Sequence, residues 1–149
     1  MKRFLLAVLL AFAVFSIVSC GGEKETDVKS VLDFEIRNIT NSPIAPVSLS
    51  QYKGKVVLMV NTATECGHTP QYLKLQELYI RYHDKGLEIL AFPSNSFNQE
   101  PRTEEEIIQF CQDNYRVSFP MFVKINVKEP GIHPIYEFLT SAETNHGFA

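Results

Sequence analysis

The chain has 149 residues, 45% of them apolar and 21% charged, which is enough for one domain with a hydrophobic core. Its formal net charge is −3; setting aside Lys2 and Arg3, which read as part of a leader, leaves 12 basic against 17 acidic residues, a net of −5. A domain with this acidic balance lacks the basic excess that nucleic-acid binders need, so nucleic acid is excluded as a partner.

The chain opens with MKR, followed by the apolar run FLLAVLLAFAVFSIV. That run is shorter than the ~20 residues of a spanning helix, so residues 1–19 read as an export signal rather than a membrane span. The junction IVSC at 17–20 resembles the lipobox of bacterial lipoproteins, in which the cysteine is acylated and becomes the first mature residue. That resemblance implies lipid attachment at Cys20 and an exported protein held on a bacterial membrane, on its periplasmic or cell-surface side. Residues 20–30 then form a polar tether, and 31–149 the folded domain. With Cys20 so assigned, Cys66 and Cys111 remain, and an oxidising compartment permits a disulfide between them. There is no CxxC, and two cysteines with four scattered histidines offer no set of ligands at metal-binding spacing.

In VLDFEIRNI, Leu32, Phe34 and Ile36 alternate with Asp33, Glu35 and Arg37, the period of a strand with one wet face. PVSLSQYKGK (46–55) reads as turn residues with a break at Gly54. KVVLMV (55–60) is almost uniformly apolar, the pattern of a strand covered on both faces by helices. TPQYLKLQELYIRYHDKG predicts a helix with Thr69 as N-cap, Pro70 at its first position, a stripe of Tyr72, Leu75, Leu78, Tyr79 and Tyr82, and Gly86 as its stop. LEILAF (87–92) is a second buried strand and PSNSFNQEPR a loop. TEEEIIQFCQDNY opens with a capping box, Thr103 with Glu106, and carries Ile107, Phe110 and Cys111 as its apolar stripe. VSFPMFVKINV is a short extended piece, and HPIYEFLTSA predicts one more helix. Two buried strands joined by a helix predict a parallel βαβ unit in an α/β domain, whose chemistry sits beyond the carboxyl ends of its strands.

Cys66 follows the strand at 55–60 at that end. A thiol just ahead of a helix N-terminus meets unpaired N–H groups and the positive end of the helix dipole, which favour the reactive thiolate. The competing reading is a buried structural cysteine. Asn61, Thr62, Thr64, Glu65, Gly67 and His68 are poor core neighbours, and they favour the reactive reading.

NTATECGHTPQY resembles the active-site segment of the glutathione peroxidase family, which reads Asn-Val-Ala-Ser, a variable residue, selenocysteine or cysteine, then Gly, a variable residue and Thr. LEILAFPSNSFNQEPRTEEEI is similar to the family's second motif, and FCQDNYRVSFPMFVKINV to a third block found in its cysteine-containing members. The likeness runs from about residue 32 to about 140. It implies a thioredoxin-like fold, with a central mixed sheet and flanking helices. It also implies reduction of hydrogen peroxide or organic and lipid hydroperoxides. Cys66 matches the peroxidatic residue and Gln99 the glutamine that hydrogen-bonds the reacting sulfur; Asn61 matches a structural asparagine. Cys111 matches the resolving cysteine of members reduced by a thioredoxin-like partner rather than by glutathione. The resemblance thus implies a Cys66–Cys111 disulfide in turnover. Because a disulfide requires Cα atoms within about 7 Å and Cys111 lies on the packed stripe of its helix, the helix 104–114 is expected to unwind locally. No cofactor is implied.

The chain departs from the family at Ser94 and Ser96, which replace Cys and Gln in a loop one residue shorter. It has no tryptophan, whereas the family's site uses a Trp-Asn-Phe motif. The resemblance therefore predicts a truncated domain, lacking the final strand hairpin and helix, with an exposed apolar edge on the strand at 55–60. Two other readings of the cysteine pair remain: a lipid-anchored redox sensor or binding module, and an inactive fragment.

Overall fold

The computed structural model describes residues 30–40 and 45–144. The predicted export signal, Cys20 with its lipid, and most of the tether lie outside the described residues. No helix among the described residues is long and apolar enough to cross a membrane.

The described residues form four strands and three α-helices: β1 (Glu35–Asn38), β2 (Ala45–Ser48), β3 (Val56–Thr62), α1 (Tyr72–Tyr82), β4 (Leu87–Pro93), α2 (Glu104–Tyr115) and α3 (Pro134–Thr140). β1 and β2 pair antiparallel, while β3 and β4 pair parallel with Val56 opposite Leu87 and Thr62 opposite Pro93. The extended piece around residue 121 joins the two pairs. It meets Ala91 of β4 in parallel fashion through Met121 and Asn38 of β1 in antiparallel fashion through Phe122. Phe122 N–H donates to Ala91 O (2.9 Å), and Val123 N–H to Arg37 O (3.0 Å). Two small sheets, one antiparallel and one parallel, are thus bridged by this piece into the mixed sheet that the family resemblance implied.

β4 is the spine of this sheet. Its successive side chains point to opposite faces, and both faces are covered. Ile89 and Ala91 join Tyr72, Ile107, Cys111 and Phe119 under α1 and α2, while Leu90 and Phe92 join Leu49, Phe122 and Ile135 on the α3 side. Phe92 stacks on Phe122 with ring centroids 5.0 Å apart.

The structure corrects three sequence expectations. PVS (46–48) is not turn but most of β2; Pro46 sits exposed on an outer strand, where its missing N–H costs little. β3 is not covered on both faces. Its hydrogen-bonded neighbour among the described residues is β4, the core under α1 and α2 reaches its Val60, and Val56 remains 71% and Leu58 38% exposed. On α1, the apolar stripe is narrower than its periodicity suggests: Tyr72, Leu75, Gln76 and Tyr79 face inward, whereas Leu78 and Tyr82 face solvent. Gly86 does end this helical segment, at φ 95°, a left-handed backbone that a side chain would strain. The capping box on α2 also forms as expected: Thr103 Oγ1 accepts from Glu106 N–H (3.3 Å) and Glu106 Oε2 accepts from Thr103 N–H (2.8 Å).

Two predictions follow from this packing. Phe122→Ala removes a ring from the centre of one core layer and is expected to cost about 3–5 kcal/mol in urea unfolding. A loss below about 1 kcal/mol would contradict the placement. Burial also pushes Tyr52 up to about 12 and Cys111 up to about 11, and raises Tyr72 and Tyr136. The folded protein then keeps these protons at a pH where the unfolded chain loses them. Stability is therefore held below the unfolded values, near 9.0 for thiol and 10.0 for phenol, and falls as pH rises through them. Urea midpoints measured across that range should decline; a flat profile would contradict it.

Candidate active site

Because β3 and β4 are parallel and in register, their carboxyl ends lie side by side, and the loops that leave them meet. Ser94 N–H donates to Thr62 O (2.9 Å) at the exit, and Glu65 N–H donates to Gln99 O (3.0 Å) further out. The first loop carries Cys66 and the second carries Gln99. Both line one cleft, together with Thr62, His68, Tyr72 and Phe97.

Cys66 is a free, half-buried thiol in the turn that precedes α1. Its Sγ accepts from His68 N–H at 3.4 Å, so one backbone donor of the turn is aimed at the sulfur. Thr69 does not cap the helix with its side chain, as the sequence suggested. It opens a single 3-10 turn, Thr69–Gln71, ahead of α1. Its hydroxyl instead accepts from Cys66 N–H (3.0 Å) and donates to Ala63 O (2.8 Å), and its own N–H donates to Cys66 O (3.0 Å). These bonds fix the backbone on both sides of the sulfur.

A buried carboxylate holds the two loops together. Glu100 is fully buried and accepts from both Thr64 N–H (2.8 Å) and Thr64 Oγ1–H (2.6 Å). Arg102 donates to the same Thr64 hydroxyl (2.5 Å), pairs with Glu65 (3.0 Å) and lies 4.9 Å from the centre of the Phe110 ring on α2. Lys124 Nζ donates to Arg102 O at 2.6 Å. Sequence reasoning missed this clamp. Glu100 stands beside Gln99 in the Asn-Gln-Glu-Pro run, but its partner Thr64 is 36 positions away in the chain, and no local pattern announces such a pair.

Cys111 is placed differently. Its thiol is also free, but it is 0% exposed in the core between α1, α2 and β4 and does not line the cleft. Burial pushes it up to about 11, Glu100 adds to the rise, and Tyr72 and Arg102 oppose it. The structure thus brings Cys66 and Gln99 to one cleft and leaves Cys111 packed behind it. Asn61 lines the cleft with an exposed side chain. Among the described residues, no three His, Cys, Asp or Glu side chains gather where a metal could be held.

Glu100→Ala strands two buried donors of Thr64, each worth ~1–3 kcal/mol unpaired, so a loss of about 3 kcal/mol or more is expected in urea unfolding. A change within about 0.5 kcal/mol would show that the clamp is not held by Glu100.

The glutathione peroxidase family model matches residues 31–140. A glutathione peroxidase-like peroxiredoxin of Schizosaccharomyces pombe is 54% identical over 103 residues, covering 68% of this chain and 65% of the relative. A hydroperoxy fatty acid reductase of Synechocystis is 50% identical over 99 residues, covering 66% of this chain and 59% of the relative. The chain spans less than two thirds of the length of each of these two. Among solved structures, the apo form of Trgpx superposes with a TM-score of 0.54 at 35% identity, covering 75% of this chain and 64% of that one. The fold is thioredoxin-like, and the chain belongs to the glutathione peroxidase family.

Proposed function

We propose that this chain reduces hydroperoxides, hydrogen peroxide or organic and lipid peroxides, through Cys66. The observation that carries the reading is the shared cleft, in which a half-buried thiol receiving a backbone N–H faces the same space as Gln99. The Cys66 thiolate attacks one peroxide oxygen; an S–O bond forms, the O–O bond breaks, and the departing alkoxide or hydroxide takes a proton to leave as alcohol or water. Cys66 becomes a sulfenic acid. The Gln99 carboxamide donates to the reacting sulfur, a role suited to a neutral amide that adds no titration of its own.

Cys111 then attacks the sulfenic sulfur. The S–S bond forms as the S–O bond breaks and water leaves, and a thioredoxin-like dithiol reduces the disulfide. Glutathione is the alternative reductant. The packed position of Cys111 supports a requirement for local unwinding of α2. A thiol held at about 11 has about a hundredfold less thiolate at neutral pH than one at 9.0. Loosening the helix both frees the thiol to travel and lowers its pKa. The lipobox-like junction further supports an exported peroxidase attached to a membrane through Cys20.

The test is rapid-mixing kinetics of the full chain with hydrogen peroxide and with a fatty-acid hydroperoxide. The wild type is expected to lose the Cys66 thiol on mixing and Cys66→Ser to lose all peroxide consumption. Peroxide consumption that is unchanged in Cys66→Ser would reject the reading. Disulfide formation without repeated turnover by a dithiol reductant would point instead to a redox sensor.

A further inference from the structure

Tyr72, the first residue of α1, belongs with Val60 and Leu75 to the wall shared by the Cys66 cleft and the core around Cys111, and it is the one of the three with a hydroxyl. It lines the cleft with Cys66 and also belongs to the core cluster that holds Cys111. Its ring is 2% exposed and fixed from two sides, with centroids 5.4 Å from Tyr115 and 6.4 Å from Phe119. Thr62 and Cys111 are near enough to act electrostatically on its hydroxyl. Yet neither Tyr72 OH nor Thr62 Oγ1, both buried, has a well-formed hydrogen bond among the described residues. Two buried hydroxyls this poorly satisfied carry a standing cost of ~1–3 kcal/mol each. The cost has a ready explanation if the charge they serve is absent in the resting state.

We infer that Tyr72 is a positioning residue for the resolving step, its hydroxyl donating to the sulfur of Cys111 as that thiol ionises and attacks the Cys66 sulfenic acid. The inference rests on the peroxidase reading above and adds a residue to it. Tyr72 is carried on α1 and keeps its Phe119 contact when α2 loosens, although the contact with Tyr115 at the end of α2 is then released, so its hydroxyl remains near the path of Cys111 to the cleft. Thr62, the last residue of β3, is positioned to donate in turn to the phenol oxygen. The other charged groups acting on Cys111 come from the Gln99–Arg102 loop: Glu100 disfavours the thiolate and Arg102 favours it. Tyr72 is a donor that lines the cleft and shares the core cluster of the buried thiol. In balance, Cys111–SH releases its proton, the S–S bond forms, and the sulfenic hydroxyl departs as water after taking up a proton.

The test is Tyr72→Phe, which keeps the ring and removes the hydroxyl. Resolution is timed from sulfenic acid already formed by a single equivalent of peroxide. Samples quenched into dimedone are assayed by mass spectrometry for the Cys66 adduct and the Cys66–Cys111 disulfide, between about pH 6 and 9. The expected result is disulfide formation slowed about tenfold at fixed pH, with its pH profile displaced upward by about one unit and an unchanged cooperative melt. Disulfide formation at the wild-type rate overturns the inference. A slower rate with an undisplaced pH profile also overturns it, because that is the mark of altered packing alone. If Cys66 of the wild type yields no dimedone adduct and no disulfide, the peroxidase reading falls and this inference with it; an adduct that resolves identically in both proteins sinks the inference alone.

Discussion

The parallel pairing of β3 with β4 is the constraint from which the site follows. In register, Thr62 and Pro93 end together, so the loops that begin there have no course except alongside each other. The buried carboxylate of Glu100 then locks one loop to the other through Thr64. Neither loop has regular secondary structure of its own beyond a single turn. Their shape comes from these cross-links, from the Thr69 hydroxyl threaded between Cys66 N–H and Ala63 O, and from the Arg102 guanidinium that reaches Thr64, Glu65 and the Phe110 ring. A sulfur held this way is pre-positioned without a rigid element beneath it. This matters for any reaction whose geometry must be met within a fraction of an ångström.

The same architecture separates the two thiols by environment. Cys66 sits at the mouth of the sheet with a backbone donor on its sulfur, and Cys111 sits inside a helix against the sheet, where burial suppresses its ionisation. In the proposed mechanism this difference sets the order of events: peroxide meets the open thiol first, and the second waits on a conformational change in α2. Arg102 spans the two regions, since it binds the Cys66 loop and lies over a ring of α2. Loosening the helix therefore also disturbs a contact of the Cys66 loop.

Much of the framework was legible from residue patterns. The run LEILAF is apolar on both parities because β4 is buried on both faces, and Gly86 and the Thr103–Glu106 pair mark helix ends by local stereochemistry that needs no tertiary information. β3 shares the composition of β4, but burial depends on neighbours rather than on composition, and Val56 and Leu58 have solvent where the pattern predicted cover. Leu78 and Tyr82 fit helical spacing, yet the core beneath α1 is too narrow to reach them. β2 was hidden because a four-residue strand containing proline is defined by its partner. At the site, Cys66 was marked by its place between a strand and a helix N-terminus, and Gln99 and Cys111 by motif likeness. Glu100 was not singled out and Tyr72 was read only as part of the α1 stripe, since their importance lies in contacts with residues distant in the chain. Motif likeness also carries no information on burial, which is what distinguishes Cys111 from Cys66.

The account depends most on that contrast between an accessible sulfur and a sequestered one. Its most direct test is residue-resolved alkylation of the folded, reduced protein at neutral pH, read by peptide mass spectrometry with and without denaturant. Cys66 is expected to be modified in the native state, and Cys111 only after denaturation. Native protection of Cys66, or equal modification of the two, would contradict the arrangement on which the rest is built.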